Sequence, residues 1–315
     1  MLDKFKIGHY TDSENGTGVT VVLAEEGAVG GVSVRGAAPA TRETDLLSDG
    51  KLVQKLNAVV LSGGSAFGLE AADGVMKYLY EKGAGFDAGK YRVPIVSGAS
   101  IYDLEYKNFA YPGKEEGYRA AAAAVSNNFA SGSIGGGTGA TFSKVLGIQY
   151  AVKGGLGVQT FSLNGLEIAV LTVCNALGDV IKDGKILAGA LDPDGNFIDC
   201  LKVFTAGGLD LKSGNTTISC IMTNATLTKE RANVLASLAH DGFARALSPS
   251  HTAFDGDAVF VMSSGEKNIE FNILTALIPD LVAKSIQNAS DGQTKEKTVR
   301  ISKLKFGIFQ KMFKK

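Results

Sequence analysis

Apolar positions along the chain fall into two periods, and the period changes mark its elements. Residues 18–24 (Gly-Val-Thr-Val-Val-Leu-Ala) and 28–35 (Ala-Val-Gly-Gly-Val-Ser-Val-Arg) are β-prone runs separated by Glu25-Glu26-Gly27, a turn signal, and predict a hairpin. Residues 57–61 (Asn-Ala-Val-Val-Leu) predict a buried strand leading through Ser62-Gly63-Gly64-Ser65 into a helix over 69–83, where Leu69, Ala72, Val75, Met76 and Leu79 recur at helical spacing. A second helix is predicted over 115–127. Strands follow at 158–162 and 166–174, then a turn at Asp192-Pro193-Asp194-Gly195. Thr228 is placed to cap a helix with Val234, Leu235, Leu238, Ala239, Phe243, Ala246 and Leu247 on one face. A strand at 257–263 and an apolar helix at 268–286 complete the pattern. Hairpins and helices covering a sheet, without regular βαβ alternation, predict an α+β fold.

Composition narrows the function. The 315 residues are 45% hydrophobic and carry 32 basic against 32 acidic side chains, enough for a large core and with no charge bias toward nucleic acid. Forty glycines with only six prolines point to tight turns and close backbone approaches. Cys174, Cys200 and Cys220 show no CxxC pairing, so free thiols and a reducing, cytoplasmic location are expected. No uncharged apolar run reaches the length of a membrane span. The stretch 295–315 has eight basic residues and one acidic among apolar ones; a segment docking on protein is expected there rather than a membrane contact.

Familiar glycine-rich motifs each fail on one residue. Gly135, Gly137 and Ala140 match a GxGxxA pattern, but an Ala-rich helix precedes them where a dinucleotide fold needs a strand. Lys144 follows Ser143 and precedes Val145, which breaks the phosphate-loop pattern, and Phe67 stands where a GxSxG elbow needs glycine after Ser65. His9, His240 and His251 are scattered without metal-ligand spacing, so neither metal nor cofactor is expected.

The segment Gly214-Asn215-Thr216-Thr217-Ile218-Ser219-Cys220 runs from a turn-forming pair into a β-prone stretch that opens on a hydroxyl residue. A cut between Asn215 and Thr216 would leave a threonine holding both a nucleophilic hydroxyl and an α-amine to act as its base. Three other polar residues stand out. Asn175 ends the apolar run 168–174, Lys144 closes the glycine-rich stretch, and Asp255-Gly256-Asp257 precedes the strand beginning at Ala258.

The ordered set Ile101-Tyr102-Asp103-Leu104, Gly136-Gly137-Thr138-Gly139-Ala140-Thr141 with Lys144, Lys153-Gly154-Gly155-Leu156-Gly157, Val173-Cys174-Asn175-Ala176-Leu177-Gly178, Asn215-Thr216-Thr217 and Phe254-Asp255-Gly256-Asp257 resembles the DmpA-type aminopeptidase family. It is most similar to the nylon-oligomer hydrolase branch, over residues 8 to 290. The resemblance implies a four-layer αββα sandwich, shared with the ornithine acetyltransferases. It implies one catalytic domain, cut by itself into 1–215 and 216–315, assembled as a tetramer of such heterodimers and acting on small linear amides or peptides. On that resemblance Thr216 is the nucleophile, Lys144 holds its hydroxyl, Asp255 and Asp257 orient it, Asn175 together with a backbone N–H is the oxyanion donor and Tyr102 serves the substrate or leaving group. The terminal amine is the base, so Asp255 and Asp257 are expected to matter more than any histidine. DmpA-like relatives have a Ser/Glu pair where this chain has Asp255 and Asp257, which argues against importing their specificity whole. An acyltransferase is the alternative, although the Met-Leu that precedes the nucleophile in ornithine acetyltransferases is absent; an unprocessed binding protein is the other.

Overall fold

The computed structural model describes residues 2–207 and 214–290. The basic stretch 295–315 lies outside the described residues.

The framework elements are strands β1 (Lys6–Asp12), β2 (Thr17–Val34) and β3 (Lys55–Ser62), helix α1 (Ala71–Glu81), strand β4 (Val96–Ser100) and helix α2 (Lys114–Ala122). There follow strands β5 (Gly155–Leu163), β6 (Leu166–Asn175), β7 (Asp179–Lys182) and β8 (Lys185–Ala188), the short helix α3 (Cys200–Thr205), strand β9 (Thr216–Ala225), helix α4 (Lys229–Ala246), strand β10 (Ala258–Lys267) and helix α5 (Phe271–Asn288).

The expected hairpin at 18–35 is instead one strand of 18 residues. Its pairing explains why. Thr17 to Leu23 pairs with β1, Val19 to Leu23 also with β3, and Val29 to Val34 with β10; the register slips between Leu23 and Ala28. The Glu25-Glu26-Gly27 signal therefore makes a bulge, with Gly27 at φ +80°, that passes the strand from one sheet layer to the other rather than reversing it.

Strand β2 thus joins two layers of one ten-stranded sheet ordered β5-β6-β9-β10-β2-β3-β4, with Thr41–Arg42 at the edge beyond β4, β1 beside the first half of β2, and Val125–Ser126 paired with β1. Alternation along each strand divides the core in three. Ala169, Leu171, Val173, Ile218, Cys220, Met222, Phe260 and Met262 meet Val22, Val59 and Leu61 between the layers. Ile168, Val170, Ile221, Val259 and Val261 face α4 and α5. Val19, Val21, Val60 and Val96 face α1 and α2. Helices outside and two sheet layers inside give the αββα order expected.

The helix over 229–246 starts where its cap requires: the Thr228 side chain accepts the Arg231 N–H at 3.3 Å. Thr228→Ala should cost about 1 kcal/mol of stability, read as a lower urea midpoint at unchanged slope. No helix among the described residues is long and apolar enough to cross a membrane.

Candidate active site

Strand β9 begins at Thr216 and is central: β6 flanks it antiparallel and β10 parallel. The register sets Asn175 opposite Thr216, and an isolated bridge sets Asn215 beside Asp255. Thr216 shares the parity of Ile218 and Cys220, as Asn175 does of Val173, so both side chains point into the space between the sheet layers. The Lys144 N–H donates to the Leu177 carbonyl at 3.0 Å, which ties its loop to the end of β6. Its ammonium reaches the Asn175 Oδ1 at 2.9 Å and the Gly214 carbonyl at 3.4 Å. Tyr102, just past β4, offers its carbonyl to the Asn175 Nδ2 at 3.1 Å, and its ring packs on Gly214. The structure therefore gathers Tyr102, Lys144, Asn175, Asn215, Thr216, Asp255 and Asp257 at one end of the inter-sheet space, although they come from separate parts of the chain.

The Asn215–Thr216 peptide is held at both ends. The Thr216 hydroxyl donates to the Asn215 carbonyl at 2.5 Å, and the Gly256 N–H donates to the same oxygen at 3.0 Å. Gly256 has no room for a side chain, since a Cβ would lie 2.4 Å from the Ala38 carbonyl oxygen. The donor on this carbonyl is the Gly256 amide; the Asn175 Oδ1 accepts from the Thr141 N–H and the Lys144 ammonium, and its Nδ2 gives one of its two protons to the Tyr102 carbonyl. The Lys144 ammonium bonds Asn175 and Gly214 rather than the Thr216 hydroxyl. The carboxylates also divide. Asp257 accepts the Thr217 N–H at 2.6 Å, whereas Asp255 closes its own turn by accepting the Thr252 N–H at 2.7 Å and hydroxyl at 2.6 Å.

The sequence profile of peptidase family S58 matches residues 3–300. The chain belongs to this family. An uncharacterized aminopeptidase of Mycobacterium bovis is 38% identical over 299 residues, covering 87% of this chain and 84% of its own. A 6-aminohexanoate-oligomer endohydrolase of Kocuria sp. is 32% identical over 266 residues, covering 82% and 72%. Among solved structures, the L-aminopeptidase D-Ala-esterase/amidase of Ochrobactrum anthropi, described as a variant of the Ntn-hydrolase fold, superposes with a TM-score of 0.67 at 18% identity over 99% of this chain and 93% of its own. That likeness gives the fold. As an S58 peptidase the chain is by family an amide hydrolase.

Burial governs the charges of this S58 site. It pulls Lys144 down to about 7, with Asp255 first and then Cys174 and Asp103 working against it. Burial raises Asp103 to about 6 despite hydrogen bonds from the Gly64 N–H at 2.6 Å and the Thr17 hydroxyl at 2.9 Å. Burial also raises Asp257, against a hydrogen bond from His251. Tyr102 is raised by burial and then by Glu105. Lys153, lowered by burial to about 7, donates to the carbonyls of Gly137, Ala140 and Gly154 at 2.9, 3.0 and 2.8 Å and so pins the glycine-rich loop. The sequence reading missed His251, whose Nδ1 lies 2.7 Å from the Asp257 Oδ2. It also gave Asp103 and Lys153 no role, and it expected a backbone N–H donor without naming Gly256. The spacing of His251 to Asp255 was visible, but a turn has no period from which a shared face can be read.

Proposed function

We propose that the chain cuts itself between Asn215 and Thr216, and that the freed Thr216 is the nucleophile of a hydrolase for small linear amides. One observation carries this reading: the Thr216 hydroxyl lies against the Asn215 carbonyl, whose oxygen already rests on the Gly256 N–H. Attack by Oγ on that carbon places negative charge on the oxygen, where the amide donor is preorganised. The hydroxyl proton passes to neutral Lys144. Collapse breaks the C–N bond as Lys144 passes that proton to the departing nitrogen, which becomes the free α-amine and leaves an ester on Oγ; water then hydrolyses the ester, releasing the Asn215 carboxylate and restoring the hydroxyl. In later turnovers the α-amine takes over as base and the substrate acyl group replaces Asn215 on Oγ. Residues 216–315 supply β9 and β10 between β6 and β2, so the two pieces are expected to stay together, within a larger homo-oligomer.

Asp255, Asp257 and Lys144 favour a substrate with a free amino end, recognised by a carboxylate. The relatives acting on 6-aminohexanoate oligomers extend the candidates to ω-amino amides. The test compares amino-acid p-nitroanilides, β-alanyl amides and 6-aminohexanoate oligomers with their N-acetylated forms and with casein. Free-amine small amides should be cleaved fastest; faster turnover of casein, or indifference to acetylation, refutes this specificity.

A further inference from the structure

We propose that His251 is a positioning residue for the nucleophile, acting through Asp257: its imidazole holds the carboxylate that fixes the first peptide of β9. The inference rests on the self-cleaving reading above. The Asp257 Oδ1 accepts the N–H of Thr217, the residue after the nucleophile, and the Oδ2 faces the His251 Nδ1 at 2.7 Å. A carboxylate accepts, so Nδ1 carries the proton. With both its oxygens occupied and only 2% exposed, Asp257 has one orientation, and Thr216 is held where its hydroxyl meets the Asn215 carbonyl.

The surroundings of His251 direct the ring to this task. Phe243 stacks on one face, with ring centroids 5.5 Å apart, and His240 meets it edge-on at 4.7 Å. The His240 Nε2 lies 3.2 Å from the Ser33 carbonyl, and burial lowers His240 to about 3, so it brings no charge. The Nε2 of His251 is buried without a hydrogen-bond partner among the described residues, leaving Asp257 as the ring's polar contact. Among the described residues, the other charged or titratable groups acting on Asp257 or bonded to its backbone are Asp255 in the same segment, Cys174 at the end of β6, and Arg35, whose N–H donates to the Asp257 carbonyl while its guanidinium turns away to Ser237. His251 is therefore the donor that counters burial and Asp255, both of which raise Asp257.

The test uses full-length chain made by cell-free translation, pulse-labelled and chased at a series of pH values, with cleavage followed on denaturing gels. His251→Phe keeps the stacking and removes the donor. It should cut roughly 10- to 100-fold more slowly, the scale of losing one hydrogen bond to a charged group. The acid limb of its rate profile should move to higher pH, because Asp257 then loses a proton less readily. His251→Asn, whose amide can donate from nearly the same place, should keep the wild-type limb. Cleavage of His251→Phe at the wild-type rate with an unmoved limb overturns the proposal. So does equal slowing of both variants with the limb in place, which marks a packing role only. If the Phe chain does not fold, the Asn chain decides: a wild-type limb supports the assignment and a displaced one overturns it. Wild-type chain that stays intact would instead sink the self-cleavage reading itself.

Discussion

Thr216→Ala is expected to give a folded, uncut chain of 315 residues without amide hydrolase activity. The fold survives because the residue is small, buried at the start of a strand whose core contacts come from Ile218, Cys220 and Met222, and loses only a hydroxyl bonded to the neighbouring carbonyl. The stability change should stay near 1 kcal/mol, the net worth of one hydrogen bond. Activity fails twice over. No hydroxyl attacks Asn215, so no α-amine is freed, and no acyl group can be carried in later turnovers; removal of a catalytic nucleophile costs on the order of 10⁶-fold in turnover. Thr216→Ser restores the hydroxyl and should restore cutting. A Thr216→Ala chain that still cleaves at this peptide, or still turns over amides, removes Thr216 from the mechanism.

Lys144→Met should slow self-cleavage by roughly 100- to 10,000-fold, the usual contribution of a placed general base. The uncut chain has no α-amine at Thr216, so another group must take the hydroxyl proton. Among the described site residues, His251 directs its Nδ1 proton to Asp257 and Asp255 accepts from Thr252. Lys144 remains, one hydrogen bond from the Asn175 side chain that faces Thr216 across the strand pair. Its pKa, lowered by burial to about 7, means that the ammonium dominates below that pH and the free amine above it. Wild-type cleavage should therefore accelerate as pH rises through about 7 and level off beyond. Lys144→Met should lack that rise and keep only the lower acid limb set by Asp257, which burial raises to about 6. A wild-type rate that falls over the same interval, or a methionine variant with the wild-type profile, contradicts a base role for Lys144.

Periodicity located what periodicity governs. The strand at 216–225, the Thr228-capped helix and the last helix stand close to where apolar spacing put them. Local signals failed where partners lie far along the chain. Glu25-Glu26-Gly27 has the composition of a hairpin turn, and only its pairing makes it a bulge: β1 pairs before it, β10 after it, and β3 on both sides with a slipped register. Strand β5 begins at Gly155, ahead of the strand expected at 158–162, because the Leu156 amide and carbonyl pair with Gly132 and the backbone from Gly155 pairs with β6. In the site, side chains were legible through their resemblance to a known set, and the structure gathers them. What they bond to was not legible. The Gly256 amide carries no side chain to notice, and His251 reaches Asp257 only because the turn closed by Asp255 on Thr252 folds the segment back on itself.

The most direct test is the mass of freshly purified wild-type protein under denaturing conditions, with N-terminal sequencing of what is found. The account requires two chains, of 215 and 100 residues, the shorter beginning Thr216-Thr217-Ile218. A single 32.8 kDa chain with amide hydrolase activity, or a cut at any other peptide, would contradict it.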